Sequence, residues 1–367
     1  MSKTAKRSSH RIDPDSARRI AAIDLLKGLA IIGVMAQHAF SSRGLYEAWD
    51  TLHVGQAVPV FFVILGLNAS ASLGRRGTAR LGRLFSREYL LGRVDRLLLP
   101  FLLLWPIAAG AALLRGRFHV GGLIVAGVYP MQSDPGNYFV TILLEFALLF
   151  PLVFWCLRRA PVMTSVLLIA LDVGFELAAP HIAVFSSSST GRFVYDAAIP
   201  KYAIAILAGY WLARVRPNRA LLAGLTPLAA GSVVYLVALH QHPDGFSWLM
   251  PTFSRSTNFM SFFYAIWLTL VGLLFLPHQV RSRLSRSLAG LGRASYHVFL
   301  VQIVWFGLVD DKSFVAGTAG MLACSLVGLL YFGGLKGVSV ARQAVPVRRE
   351  TPATPGGQGI GEEPAAR

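Results

Sequence analysis

Three ionisable side chains share one helical face of the first apolar segment of this chain: Asp24, Lys27 and His38, in the run IDLLKGLAIIGVMAQH. Lys27 and His38 are eleven residues apart, close to three α-helical turns, so both point to the same side. Asp24 lies three residues before Lys27 and joins that face. At ~1.5 Å per residue, Lys27 and His38 are ~16 Å apart along the axis, about half the thickness of a bilayer's hydrocarbon core. Charges are costly in lipid, so such residues face a protein interior or a watery cavity and commonly work there. A histidine takes or gives a proton near neutral pH, which suits it to acid–base chemistry on a hydroxyl. Lys27 is long enough to reach towards the inner surface, and Asp24 reads as its structural ion-pair partner.

Other polar residues fall inside apolar runs. Glu145 sits centrally in YFVTILLEFALLFP. The residues leave two roles open for it: an acid or base, or a partner for a basic residue of another helix. Asp172 and Glu176 are one turn apart and share a face, as a polar lining or, for Glu176, a solvated end. Arg93 and Arg96 flank the start of an apolar run, with Asp95 as a partner for either. His297 and Gln302 lie on one late helix, where bundle-stabilising hydrogen bonds are as well supported as catalysis. There is no Walker loop, no G-x-S-x-G elbow and no H-E-x-x-H, so nucleotide hydrolysis and zinc chemistry lack support, and no metal is expected.

The elements that must position these residues follow from composition. Of 367 residues, 54% are hydrophobic and 14% charged, against about 25% charged in a soluble domain. Apolar runs of helical length recur throughout, and no alternating ten-residue segments suggest a barrel. The expectation is an all-α, polytopic integral membrane bundle of about ten transmembrane helices. The ranges are 20–41, 52–73, 97–114, 138–157, 162–179, 199–213, 220–240, 259–276, 294–309 and 314–334, the sixth and ninth being short. The apolar piece 120–128 is too short to span and reads as interfacial or re-entrant, and 186–190 reads as a low-complexity outside loop.

Loop charge sets the orientation. With the N-terminus inside, 27 of the 35 Lys and Arg fall in inner segments, seven in outer ones, and Lys27 within the first span. That asymmetry predicts ten spans with both termini in the cytoplasm. The net charge of +17 is therefore spread between apolar runs, and nucleic acid is not an expected partner. Residues 74–96 carry seven of the inner arginines, fit for lipid headgroups or for a phosphorylated ligand. The two cysteines, Cys156 and Cys324, both lie in apolar runs and read as small core residues. No cleavable leader is evident. The chain divides into a cytoplasmic basic arm (1–19), a transmembrane domain (20–334) and a cytoplasmic tail (335–367) rich in Pro, Gly and Glu, expected to be disordered.

Taken together these residues resemble acyltransferase family 3, polytopic membrane O-acyltransferases. The opening D-x-x-[RK]-G-x-A-I pattern followed by a His is met by Asp24, Lys27, Gly28, Ala30, Ile31 and His38. F-F-x-x-S-G resembles FFVILG at 61–66, with Leu65 in place of Ser. R-x-x-R is matched by Arg93 and Arg96, followed by Pro100. W-[FY]-x-x-x-L-L resembles residues 138–144, and S-Y-x-x-[YF]-L-x-H resembles Ser295, Tyr296, Phe299 and Leu300, with Gln302 replacing the His.

The resemblance implies an enzyme of the plasma or inner membrane that moves an acyl group, usually acetyl from cytoplasmic acetyl-CoA, to a hydroxyl. The implied acceptor is a carbohydrate, a lipid-linked glycan or a related envelope molecule. Arg93 and Arg96 would handle the acyl-CoA, with membrane lipids as the surroundings. His38, Lys27, Asp24 and Glu145 are then the candidate catalytic residues. A transporter or flippase with an intramembrane proton relay is the competing reading.

Overall fold

The computed structural model describes residues 14–76, 80–114, 136, 138–187, 189–242, 257–277, 279–309 and 311–344, and every regular element among them is helical. Each of the ten predicted ranges overlaps one main helix. These are α1 (Pro14–Ala39), α3 (Ala57–Arg75), α6 (Leu99–Leu114), α7 (Tyr138–Arg159), α8 (Pro161–Ala178), α11 (Ala203–Arg214), α12 (Arg219–Gln241), α13 (Phe259–Phe275), α15 (Ser295–Leu308) and α16 (Phe314–Ala344). Shorter helices link them: α2 (Ser42–Glu47), α4 (Leu81–Leu84), α5 (Arg87–Arg93), α9 (Ala183–Ser187), α10 (Ser189–Ala197) and α14 (Arg283–Arg293). Among the described residues six segments are long and apolar enough to cross a membrane. Phe259–Phe275 and Ser295–Leu308 are shorter apolar helices.

Local chemistry sets several boundaries. Asn218 caps α12 by accepting from Leu221 N at 2.7 Å, and Asn258 opens α13 with a capping box to Ser261. Ser86 caps α5 and Ser282 caps α14 in the same way. Pro161 begins α8, where its missing N–H costs nothing.

The bundle is held by close backbone approaches. A Cβ on Gly66 of α3 would collide with the Ile206 carbonyl oxygen, and one on Gly209 of α11 with the Val63 carbonyl oxygen. Gly28 of α1 meets Leu288, and Gly292 of α14 meets the Asp24 backbone, in the same manner. In lipid such small-residue crossings replace the hydrophobic drive of soluble packing. The core they enclose is aromatic-rich, with Phe62, Phe146, Phe150, Phe154, Tyr202 and Tyr210 fully buried. The opposite surfaces of α8 and α16 leave Val162, Met163, Val166, Leu322 and Leu330 exposed, as a lipid-facing wall requires.

Three expectations change. Within the run expected as a loop, residues 186–187 end α9 and residues 189–190 begin α10. Helix α1 begins at Pro14, within the expected arm, and α16 continues to Ala344, so the segment after 334 opens as helix. Residues 1–13, the piece 120–128 and the segment 345–367 lie outside the described residues.

Candidate functional site

At the N-terminal half of α1 the structure joins the predicted charges to one that the sequence did not suggest. The Asp24 carboxylate lies 3.7 Å from Arg293 Nη1, at the end of α14. The Gly28–Gly292 crossing brings the two helices together here. Asp24 also feels Lys27 and Lys336, and Lys336 Nζ sits 4.6 Å from the centroid of the Phe332 ring. One carboxylate thus faces three cations, and the mouth of this helix cluster carries excess positive charge. Asp24 and Lys27 are both half-buried.

The R-x-x-R arginines lie on an irregular helix. Arg93 ends α5, and a π-helical turn, Val94–Leu98, carries Arg96 into α6. Pro100 has no N–H to offer the carbonyl four residues before it, that of Arg96, which favours a wider turn there. Two tyrosines from distant helices fasten this stretch. Tyr296 Oη donates to the Leu97 carbonyl at 2.8 Å, and Tyr331 Oη donates to the Pro100 carbonyl at 2.6 Å. Arg96 is exposed, whereas Arg93 is half-buried with its guanidinium 4.9 Å from the Tyr89 ring centroid. Tyr89 is 4% exposed and donates to the Ala147 carbonyl of α7 at 2.8 Å. Burial pushes its phenol above the ordinary tyrosine value, against the pull of Arg93, so it stays a neutral donor.

His38 stands at the other end of α1, half-buried. Its imidazole lies beside Gly136, where a Cβ would be 3.5 Å from Nε2 and 3.4 Å from the Phe299 ring. Gly136 has φ +84°, a left-handed conformation that favours glycine. Phe299 packs edge-on against Phe139 at 4.9 Å between centroids, and Phe139 against Phe62 at 5.4 Å. His38 therefore has an aromatic neighbourhood with one cation, Lys312, acting on it. On α15, His297 is packed among Tyr296, Tyr331 and Phe332. Gln302, where the family pattern has a histidine, is fully buried, and neither amide atom has a hydrogen-bond partner among the described residues.

Three carboxylates converge elsewhere, on the entry to α11. Glu145 Oε2 accepts from Ile199 N at 3.3 Å, and Asp172 Oδ2 accepts from Ile204 N at 2.8 Å. Glu176 accepts from the Tyr195 hydroxyl. Asp172 and Glu176 are both fully buried, so Glu176 is not solvated. Lys201, 1% exposed, pairs with Asp196 at 2.6 Å and rests 4.4 Å from the Tyr195 ring centroid. The structure therefore groups Asp24 with Lys27 and sets Arg93 at the end of α5 just before the fastened turn that bears Arg96, but holds Glu145 against the backbone that leads into α11. An open apolar groove of about 490 Å³ between α1, α3 and α13 takes Leu26, Ala30 and Gly33 from a different stripe of α1 than Lys27 and His38.

Sequence reasoning passed over Arg293, Tyr89, Gly136, Lys201 and Tyr331. The Asp-Pro-Gly run at 134–136 is a turn signal that singles out Gly136. Nothing local distinguishes Tyr331 or Arg293, whose partners lie hundreds of residues away. Residues 20–335 match the family model of acyltransferase family 3, described as an acyltransferase domain. Comparison with curated proteins and with solved structures finds no match.

Proposed function

The chain belongs to acyltransferase family 3, and on that premise we propose that it is a membrane O-acyltransferase drawing acetyl from cytoplasmic acetyl-CoA. Its acceptor is a hydroxyl of a glycan, glycolipid or related molecule of the cell envelope. The protein crosses the plasma or inner membrane ten times with both termini inside, as the charge asymmetry of its loops supports. The single observation that carries the reading is the line of α1. A cation-rich cluster around Lys27 sits three turns from a half-buried histidine on the same helix, and a fastened turn elsewhere in the bundle bears Arg96 directly after Arg93.

In this reading Arg93 and Arg96 hold phosphates of the donor, since guanidinium forks match phosphate geometry. Lys27 continues the positive path inward from lipid, with Asp24 and Arg293 fixing its surroundings. His38 takes the proton of the acceptor hydroxyl as the oxygen bonds to the thioester carbonyl carbon. The C–S bond then breaks, and the CoA sulfur leaves with a proton, so one thioester and one alcohol become one ester and one thiol. Glu145 acts by holding the α7–α11 junction through Ile199.

Membranes containing the wild-type protein, given radiolabelled acetyl-CoA and an envelope extract, are expected to move label into a glycan or lipid fraction. If no fraction gains label and the purified protein does not bind acetyl-CoA, the enzyme reading fails in favour of transport.

A further inference from the structure

The basic stretch between α3 and α6 directs two of its arginines, exposed Arg76 and half-buried Arg93, at one ring. Arg76, immediately after α3, has its guanidinium 5.5 Å from the Tyr89 ring centroid, the same ring that Arg93 approaches to 4.9 Å. Arg76 Nη1 also donates to Ser86 Oγ at 3.2 Å, and Ser86 in turn caps the helix that carries Tyr89. The ring itself is pinned by its hydroxyl to Ala147. Among the described residues neither guanidinium has a carboxylate partner, and Glu88 and Asp95, the acids of this stretch, are exposed.

We propose that Arg76 and Arg93, set against the Tyr89 ring, form a preorganised site for a phosphate or diphosphate group, and that Arg76 is a donor-binding residue. Two like charges held near one ring repel each other, and a phosphate bound beside them lowers that cost. A guanidinium has five N–H groups, so Arg76, with one on Ser86, and Arg93, with one directed at the Tyr89 side chain, each keep others for a phosphate. Fixing both cations before binding lowers the entropy lost when the ligand arrives. Tyr89 is a positioning residue: it acts through the arginines. The inference rests on the proposed function for its donor, acetyl-CoA. The same chemistry is offered by anionic lipid headgroups, and the experiment separates the two sources.

Binding of radiolabelled acetyl-CoA and of pyrophosphate is measured on protein in zwitterionic nanodiscs and in nanodiscs rich in phosphatidylglycerol. Arg76→Ala is expected to weaken both ligands about tenfold or more, as loss of a charge-assisted fork implies. Arg83→Ala, an exposed arginine of the same stretch, is expected to leave binding within twofold. Tyr89→Leu is expected to raise KM for acetyl-CoA with kcat retained, and Arg76→Lys to recover part of the loss. Equal binding by wild type and Arg76→Ala overturns the site while leaving the donor reading intact. Pyrophosphate binding that depends on Arg76, without any acetyl-CoA binding, upholds the site and overturns the donor reading. Loss of acetyl-CoA and pyrophosphate binding only in anionic nanodiscs assigns the site to lipid headgroups and overturns its role in donor binding.

Discussion

The strictest demand on a single residue falls on Gly136. Its φ of +84° disfavours any side chain by about 1–2 kcal/mol, so a larger residue there would shift the backbone that contacts both His38 and Phe299. Gly136→Ala is expected to lower acyl transfer tenfold or more while the protein still reaches the membrane. Transfer at the wild-type rate would show that the His38 surroundings tolerate change. Gln302 makes the opposite kind of prediction. A fully buried amide without partners costs about 1–3 kcal/mol. Gln302→Leu is therefore expected to raise the thermal midpoint of the solubilised protein, and a fall would mean that the amide is bonded. The charged residues of α1 were legible because their three-turn spacing is a property of the helix itself. Arg293 was not, because its pairing with Asp24 depends on a crossing of two glycines far apart in the chain.

At the scale of elements, the π-helical turn Val94–Leu98 is the piece most exposed to test. It bears Arg96, follows Arg93, and is tied to α15 and α16 by two hydroxyls. Tyr296→Phe and Tyr331→Phe each remove one hydrogen bond, worth about 1 kcal/mol, and little packing. Both are expected to speed amide exchange around residues 94–102 and to raise KM for the donor, most in the double variant. Unchanged exchange in the double variant would mean that the turn stands without its clamps. The predicted helical ranges came from runs of apolar residues, and each found its helix, because lipid leaves the backbone no alternative to internal hydrogen bonding. The turn was hidden for a different reason. Pro100 announces an irregularity, but the tyrosines that stabilise it are 199 and 231 residues from their acceptors. The serine-rich run at 186–190 misled because composition there suggests a loop, whereas two short helices meet within it.

Across the described residues the candidate site residues separate into a cationic cluster around Asp24, a histidine among aromatics, and carboxylates that bind backbone at the entry to α11. The third group explains why intramembrane acids need not signal a proton relay. Asp172 and Glu145 accept from N–H groups at a helix entry, where backbone donors lack helical partners. The orientation proposed from loop charge makes a direct prediction. In a chain with Cys156 and Cys324 replaced by alanine, Lys312→Cys is expected to react with an impermeant maleimide in intact cells. Arg83→Cys is expected to react only after permeabilisation. The reverse pattern would invert the topology and remove the inner donor mouth.

The most direct test of the account is acyl transfer by His38→Ala compared with wild type, at matched levels in the membrane. Radiolabelled acetyl-CoA and an envelope extract are supplied, and label is counted in glycan and lipid fractions. The account predicts labelled acceptor with wild type and loss of at least a hundredfold with His38→Ala, the scale of a missing general base. Equal transfer by both proteins would contradict it, because the one half-buried base at the end of α1 would then have no part in the reaction.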